Sequence, residues 1–395
     1  MSQAVGTSDN KNLDEIIEKN LKSWLRELNE PDRVFTKGKK VEIVFTIEAV
    51  NAILPRTEGV EDITLFKIPG TEYEVPAILP EKLQAVARRN MLSYLRMYRD
   101  KQKDRLRRYL EKLSLMYKIK DKKETNVGFV KAKEFLNNKD WNCYIQPPGG
   151  DVGEKATDVG MDGFCPACAL FGTLIDKSKI EGIGDESIGV KSRVEFDPAI
   201  AISDRSVSVV GYTQNKVSDG VSWTGQSLFT EYHVVPGTVF IGKTTLEDVS
   251  KEELKAFLST LSTISRLGGR ERIFGGVKVT IIALRGGSYE AVSALELAKR
   301  LIAKYGDALP GFDNIVRDLK QELKSRGFIE VDSYSDGFRK LVEDVEIWDD
   351  LWGSTIIYDK RIIDRVLQLV KGEGKYEEIW KDEEVIKIME EKEKA

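Results

Sequence analysis

The chain has 395 residues, with 61 Lys and Arg against 65 Asp and Glu, and a formal net charge of −4. An apolar content of 41% is enough for a buried core and excludes an intrinsically disordered chain. No apolar run approaches the roughly 18 residues of a membrane span, and residues 1–12 lack the apolar segment of a signal peptide. We therefore expect a soluble, cytoplasmic protein without membrane contact.

The first third of the chain predicts two helices that flank two strand regions. Residues 12–28 place apolar side chains at helical spacing. Residues 40–51 alternate between apolar and polar side chains, which predicts a half-buried strand, and a hairpin over 63–79 follows. Pro80 favours the start of a helix that runs to about residue 113, and residues 96–124 are strongly basic.

The middle of the chain, residues 120–230, is rich in Gly, Asp and Ser and has little helical period. We expect two mobile loops there, at 146–163 and 213–227. Apolar and β-branched side chains predict strands over 190–202 and 207–212, between these loops.

Patterns typical of strands and helices begin again near residue 229. Residues 229–247 predict one long strand with a Pro-Gly irregularity, and Ser250 with Glu253 forms a capping box that starts a helix over 250–267. A glycine-rich turn over 268–276 leads into a strand over 277–284, and the rest of the chain is predicted to be mostly helical.

This order of elements predicts an α+β fold with a ferredoxin-like or RRM-like (β-α-β-β-α-β) core. Large insertions, including a zinc-binding region, and C-terminal helices would enlarge the core. In chain order, the predicted parts begin with an N-terminal helix and the first half of the core over 30–119. An inserted lid and zinc-binding region follows over 120–230, with a core strand near 190–210. The second half of the core spans 231–287, and a helical region spans 288–395.

The cysteines and the single histidine predict a structural zinc site. Cys165 and Cys168 have the spacing of a metal-binding turn, and Cys143 lies 22 residues upstream of Cys165. With His233 they form a set of three thiolates and one imidazole, which suits closed tetrahedral zinc. Asp162 is the alternative fourth ligand. Because four protein ligands leave no position for water, we expect the zinc to be structural and not catalytic.

Residues 237–244 fit the phosphate-loop pattern G-x-x-x-x-G-K-[ST], with Lys243 as its lysine. That motif needs a helix that begins at the lysine, whereas the helix-start signals here come later, at Ser250. The intervening Val-Phe-Ile favours a strand. We interpret the match as chance, which leaves a nucleotide hydrolase as a weak alternative.

The glycine-rich turn carries a local basic patch on an acidic protein, with Glu271 as its acid. Glycines permit the close approach of a nucleic-acid backbone, and arginine offers a planar pair of donors for phosphates. RNA bound there would be held largely independently of sequence and with strong salt dependence. The candidate RNA-binding residues of this turn are Arg266, Gly268, Gly269, Arg270, Arg272, Gly275, Gly276 and Lys278.

Three stretches together resemble the RAMP superfamily of CRISPR proteins. They are R-L-G-G-R-x-R-x-x-G-G-V in the glycine-rich turn, C-P-A-C-x-L-F-G-T around the cysteine pair, and EVPAILPEKLQAVARRNM at the first core helix. The chain is most similar to the Cas-seven-type backbone subunits of type I-D interference complexes. The resemblance implies a non-catalytic protein that coats CRISPR guide RNA in many copies, beside other subunits of the complex.

The resemblance also implies that the glycine-rich turn lies along the RNA, with Lys191, Arg193, Arg88 and Arg89 as further contacts. The polar hairpin around residues 215–225 would be a flexible thumb over the RNA or over the next subunit. The alternative within the same superfamily is an endoribonuclease that processes guide RNA. In that case His233 would act as general acid or base and would not bind zinc.

Overall fold

The structure is a computed structural model that describes residues 13–26, 38–56, 63–97, 165–176, 187–203, 207–216, 225–268, 274–306, 308, 310–343, 347–348 and 351. These residues form two compact units. The first holds the described residues within Met1–Arg26, Lys37–Asn90 and Val194–Glu343, and the second holds those within Met91–Arg193 and Asp344–Ala395. The four-part division predicted from the sequence stays a prediction.

The described chain has twelve strands and seven α-helices of four or more residues, and residues 347–348 and 351 are helical as well. The strands are β1 Lys40–Ala49, β2 Leu65–Lys67, β3 Glu74–Ile78, β4 Thr173–Asp176, β5 Ser187–Val190, β6 Val194–Phe196, β7 Ala199–Ala201, β8 Val207–Lys216, β9 Gly225–Val234, β10 Val239–Glu247, β11 Val277–Gly287 and β12 Ile329–Glu330. The helices are α1 Leu13–Ile16, α2 at 80–97, α3 Pro166–Phe171, α4 Lys251–Ser262, α5 Ala294–Tyr305, α6 Phe312–Lys324 and α7 Asp336–Glu343. A π-helical turn, Ile17–Leu21, and a 3₁₀ turn, Lys22–Trp24, continue α1.

An antiparallel sheet is the core of the first unit. Its strand order is β12-β11-β1-β10-β7-β3-β2, and β6 also pairs with β10. The two short strands β6 and β7 follow one another along β10 and are separated by Asp197 and Pro198, which has no amide hydrogen for the ladder. The predicted class, a mixture of helices with an antiparallel sheet, is confirmed.

The central strand β1 is buried on both faces, so the prediction of a half-buried strand was wrong. Glu42 and Thr46 lie on the predicted polar face and are as inaccessible as Ile43. The carboxylate of Glu42 accepts hydrogen bonds from Arg285 Nη1 at 2.6 Å and from the Ala291 amide at 2.9 Å. Helices α4 and α6 pack against β11, and α5 packs against β7 and β10. This packing and the polar partners of Glu42 bury the side chains on both faces of β1.

Helix α4 begins at the predicted capping box. Ser250 Oγ accepts a hydrogen bond from the Glu253 amide at 3.2 Å, and the Ser250 amide donates to Glu253 Oε2 at 2.9 Å. The helix ends at Ser262, five residues before the predicted end at 267. The reason is that residues 265–267 run antiparallel to residues 275–277, with a bridge between Arg266 and Gly276.

The predicted long strand over 229–247 is two strands that belong to different sheets. β9 pairs with β8 in a two-stranded hairpin, whereas β10 lies in the core sheet. Gly237, with φ of +83°, makes the turn between them, and its amide donates to the Ala49 carbonyl at 2.7 Å. Strands also extend into both ends of the loop predicted over 213–227, and residues 217–224 lie outside the described residues.

The described part of the second unit contains α3, the β4–β5 ribbon and the end of α2. Tyr94 stacks on Trp348 there, with ring centroids 5.0 Å apart. Across the described helices of the whole chain, none combines the length and the apolar character that crossing a bilayer requires.

Candidate nucleic-acid interface

The described ends of the glycine-rich turn are fixed by backbone hydrogen bonds. The Leu267 amide donates to the Gly275 carbonyl at 2.8 Å, and the Gly275 amide donates to the Ala52 carbonyl at 2.8 Å. The Gly276 amide donates to Asn51 Oδ1 at 2.6 Å. The described ends of the turn are thus anchored on the segment that follows β1.

Two glycines of this turn have a steric role. Gly275 has φ of +83°, and a Cβ there would lie 2.4 Å from the Leu267 carbonyl oxygen. Gly268 has φ of +101°, and its Cβ would lie 2.8 Å from the Leu54 carbonyl oxygen. Both positions require glycine because the backbone packs too closely for any side chain.

A cleft of about 520 Å³ opens beside the turn, within the first unit. Four chain segments line it: Ile53 to Arg56 after β1, residues 77–79 at the end of β3, the first turns of α2, and Leu267 with Gly268. Of the predicted RNA-binding residues, Gly268 and Arg89 are brought together here.

Three cationic side chains line this cleft, namely Arg56, Lys82 and Arg89. Arg89 is exposed, and Arg56 and Lys82 are half-buried. Among the described lining residues the acid is Glu81, so the described part of the lining carries a net positive charge. Such a cleft suits an anionic, elongated ligand whose charges it neutralises.

Arg56 and Lys82 are site residues that the sequence analysis missed. Lys82 was detectable, because Lys82 and Arg89 are seven residues apart on a predicted helix and share one face. Arg88 lies on another face, where its side chain is 8% exposed. Arg56 belongs to no motif, and only the fold brings it beside α2.

The other two described cations of the turn lie apart from the cleft lining. Arg266 is exposed, and its Nη1 donates to the Phe274 carbonyl at 3.2 Å, which braces the base of the turn. Lys278 is exposed on β11, with its Nζ 4.7 Å from the centre of the Tyr334 ring. Hydrogen bonding to Tyr334 raises the pKa of Lys278, so this lysine is charged at neutral pH.

Lys191 and Arg193 belong to the second unit. Lys191 is exposed, whereas the Arg193 side chain is buried. Its Nε and Nη2 both donate to the Ala169 carbonyl, at 3.2 and 3.1 Å, which ties the chain before β6 to α3. This contact gives Arg193 a structural reason to be arginine. Gly269, Arg270 and Arg272 lie outside the described residues.

Lys243 of the phosphate-loop match lies in the middle of β10 and is 1% exposed. Its Nζ lies 3.9 Å from Glu42 Oε2 and 3.7 Å from Asp197 Oδ1, and it also pairs with Glu290. Burial raises the pKa of Asp197. Burial acts to raise the pKa of Glu290 as well, but hydrogen bonds and charge from Lys243 and Lys40 outweigh it and lower that pKa. A lysine enclosed by three carboxylates has no access to a nucleotide phosphate.

His233 is also buried, with 1% of its surface exposed. Its ring packs edge-on against Phe274, with centroids 4.7 Å apart, so it lies beneath the end of the glycine-rich turn. A histidine enclosed in this way cannot reach an RNA strand at the surface as a general acid or base.

Of the predicted zinc ligands, His233, Cys165 and Cys168 lie in the described residues, and all three are buried. Cys165 caps α3, and its Sγ accepts a hydrogen bond from the Cys168 amide at 3.4 Å. Cys143 and Asp162 lie outside the described residues. Within the described part of the chain, no group of three or more potential metal ligands occurs.

Comparison with known proteins gives one family match. The family model described as Csc2 Crispr matches residues 18–350. The crystal structure of Thermofilum pendens Csc2 is 34% identical, covers 90% of this chain and 96% of that chain, and superposes with a TM-score of 0.61.

Weaker structural likenesses accompany this match. One is to a chain described as a CRISPR RNA-guided surveillance complex, pre-nicking, at 12% identity, covering 80% of this chain and 100% of that chain with a TM-score of 0.41. Another is to a Type IV-B CRISPR Complex, at 16% identity, covering 61% and 90% of the two chains with a TM-score of 0.31. None of the curated proteins matches.

Proposed function

The chain belongs to the Csc2 family of CRISPR proteins, and on this premise we propose that it is a non-catalytic subunit that binds single-stranded guide RNA along the sugar-phosphate backbone. The observation that carries the proposal is the cleft beside the glycine-rich turn, where Arg56, Lys82 and Arg89 outnumber one acid. Cations that contact phosphates bind strands of any sequence, as a subunit that carries different guides requires.

We propose that the centre of the first unit is an RRM-like core, made in chain order of β1, α2, β6 with β7, β10, α4 and β11. RRM domains stack bases on aromatic side chains of an exposed sheet face. In this chain β1 and β10 are buried on both faces, so that surface is covered. The RNA would therefore lie at the edge of the core, across the cleft and the glycine-rich turn.

Further cations would extend this surface along the strand. Arg270 and Arg272 lie between the two described ends of the turn and would contact phosphates next to those held in the cleft. Lys278 is exposed and charged two residues beyond Gly276. A row of cations longer than the cleft itself would bind several successive phosphates of one strand.

The proposed partners are CRISPR guide RNA, other subunits of an interference complex, and further copies of this chain. This rests on family membership and on the sequence resemblance to backbone subunits. The burial of His233 and the enclosure of Lys243 by carboxylates favour this role over the endoribonuclease and over the nucleotide hydrolase.

A structural zinc ion is proposed for Cys165, Cys168 and Cys143, with either His233 or Asp162 as the fourth ligand. The hydrogen bond from the Cys168 amide to Cys165 Sγ supports it, because it favours the thiolate form that binds zinc. Metal analysis of the purified protein tests this proposal. We expect about one zinc per chain, reduced in Cys165→Ser, and a wild-type protein without zinc would contradict it.

The RNA proposal is tested by reversing the charge of the cleft. We expect the triple variant Arg56→Glu, Lys82→Glu and Arg89→Glu to bind single-stranded RNA about 100-fold more weakly or worse at 0.15 M salt, because three phosphate contacts become repulsive. Fluorescence anisotropy with RNAs of unrelated sequence measures it.

The matched control reverses three exposed lysines of the same unit that do not line the cleft, Lys299, Lys324 and Lys340. This control should bind RNA within a few-fold of wild type. Equal losses in both triple variants would mean that only the overall charge matters, and would refute the cleft as the interface.

A further inference from the structure

We infer that an acidic segment of this chain, residues 377–395, docks in the cleft beside the glycine-rich turn of the same chain and competes there with RNA. The inference rests on the proposed function and adds a way to regulate it. The segment lies outside the described residues and beyond residue 350, where the family match ends.

The acidic segment carries all of the net charge of the chain. Residues 377–395 hold eight Asp and Glu against four Lys, a net charge of −4, which equals that of the whole chain. The rest of the chain is therefore neutral overall. The described lining of the cleft has the opposite sign, with Arg56, Lys82 and Arg89 against Glu81. Opposite charges favour contact between the segment and the cleft.

The apolar part of the cleft also has a counterpart in the acidic segment. Four apolar side chains line the cleft: Pro55, Leu79, Val86 and Leu267. Strongly hydrated groups such as phosphates gain nothing from this apolar wall. In the segment, Ile379 and Trp380 lie between the acidic pair 377–378 and the acidic run 382–384. An apolar pair flanked by acids thus matches an apolar wall flanked by cations.

Trp380 is the side chain that best suits the apolar wall as an anchor. Tryptophan is among the residues that most often dominate the energy of a contact. The cleft volume of about 520 Å³ lies within the range of about 300–1,000 Å³ typical of small-ligand sites, which is ample for one indole ring.

The attachment of the acidic segment permits this contact. Trp348 stacks on Tyr94 of α2, with ring centroids 5.0 Å apart. Arg89 lies five positions before Tyr94 on the same helix, or about 8 Å along its axis at about 1.5 Å per residue. Trp380 follows Trp348 by 32 positions, a length of chain that can span about 100 Å. The tether is therefore long enough to reach the cleft.

A weak contact is sufficient for the segment to compete with RNA. A segment linked to its site acts at an effective concentration of about 1 mM, so a contact with a Kd of about 0.1 mM is closed about ten times as often as it is open. RNA then meets an open cleft in about one molecule of ten, which lowers its apparent affinity about tenfold. An RNA that contacts many cations still displaces the segment, whereas short unrelated RNAs are excluded.

The first test is Trp380→Ser in the full chain, which removes the apolar anchor and leaves every charge in place. This variant should bind single-stranded RNA about tenfold more tightly than wild type, because the cleft is vacated. The matched control, Tyr289→Ser, changes an exposed aromatic residue that does not line the cleft and should keep the wild-type affinity. General repulsion between the acids and RNA is the same in all three proteins. Equal affinities of Trp380→Ser and wild type therefore overturn the inference.

The second test locates the segment without measuring RNA affinity. A carbodiimide joins a carboxylate to a lysine amine that it contacts. In the wild-type chain without RNA, we expect mass spectrometry to find Lys82 joined to an acid of residues 377–384. This link should be absent from Trp380→Ser and from wild type saturated with RNA.

Several results of this cross-linking overturn the inference and leave the proposed function intact. They are links of the segment only to other lysines, a link to Lys82 that persists at saturating RNA, and a link that forms only between two chains. The last result would assign the segment to a second copy. If neither wild type nor Trp380→Ser binds RNA, the proposed function itself is overturned.

Discussion

Two glycine-containing basic segments of this chain look alike in sequence and differ in what their cations meet. The segment 237–244 places Lys243 in the centre of the sheet, where three carboxylates enclose it. The described cations of the glycine-rich turn, Arg266 and Lys278, are exposed, and the turn borders the cleft that Arg56, Lys82 and Arg89 line. A glycine-lysine pattern alone therefore does not identify a phosphate site, because the fold decides whether the lysine is exposed or is buried among carboxylates.

The two regions also use glycine for different reasons. Gly237 and Gly275 have the same φ of +83°, but a Cβ at Gly237 would meet nothing within 4 Å, whereas one at Gly275 would strike the Leu267 carbonyl oxygen. Gly237 only turns the chain between β9 and β10. Gly275 also lets two backbone segments approach each other at the base of the turn.

The largest expected effect comes from removing the buried lysine. We expect Lys243→Met to lower the free energy of unfolding by about 3–5 kcal/mol, because three carboxylates lose their shared buried cation. Glu42 would keep Arg285, and Asp197 would keep only the hydrogen bond from the Ala294 amide. Urea denaturation followed by circular dichroism measures it.

Lys299→Met, at an exposed position, should change the free energy of unfolding by less than about 0.5 kcal/mol. The RNA affinity of folded Lys243→Met should equal that of wild type. A variant of Lys243 that is fully stable but has lost RNA or nucleotide binding would show that this lysine is a ligand of phosphate after all.

A smaller effect is expected from alanine at the two glycines with positive φ. Both substitutions force alanine into a left-handed conformation, which costs about 1 kcal/mol. Gly275→Ala should cost about 1–2 kcal/mol more than Gly237→Ala, because of its contact with Leu267. The same denaturation experiment gives both values. Equal losses would mean that the base of the turn yields to the added methyl group, and that it is not rigid.

The sequence predicted well those elements whose signals come from neighbouring residues. The capping box of Ser250 and Glu253 starts α4 where it was expected, and periodicity located β1 and β11. Sequence analysis failed where the burial of a residue depends on a partner that is remote in the chain. Glu42 appeared to be a surface residue of β1, and its partner Arg285 lies 243 positions away. No local pattern can reveal that a charge will be buried against a distant opposite charge.

The candidate site was predictable only in part for the same reason. Gly268 and Arg89 were expected, because a glycine-rich basic turn and the start of the first core helix carry recognisable patterns. The cleft that unites them is assembled from four separate segments. Arg56 lines the cleft only because the chain after β1 packs beside α2, which no local sequence pattern indicates. Conversely, the resemblance implied an RNA contact for Arg193, and the structure shows its side chain buried, with a hydrogen bond to the Ala169 carbonyl.

The central claim is that cations of the cleft contact RNA phosphates, and the salt dependence of binding tests it most directly. The triple variant Arg56→Gln, Lys82→Gln and Arg89→Gln removes charge without reversing it. If all three contact phosphates, the slope of log K against log salt should become shallower by about 2, since each contact on a single strand contributes about 0.7. The matched glutamine triple at Lys299, Lys324 and Lys340 should keep the wild-type slope. An unchanged slope in the cleft variant would contradict the claim.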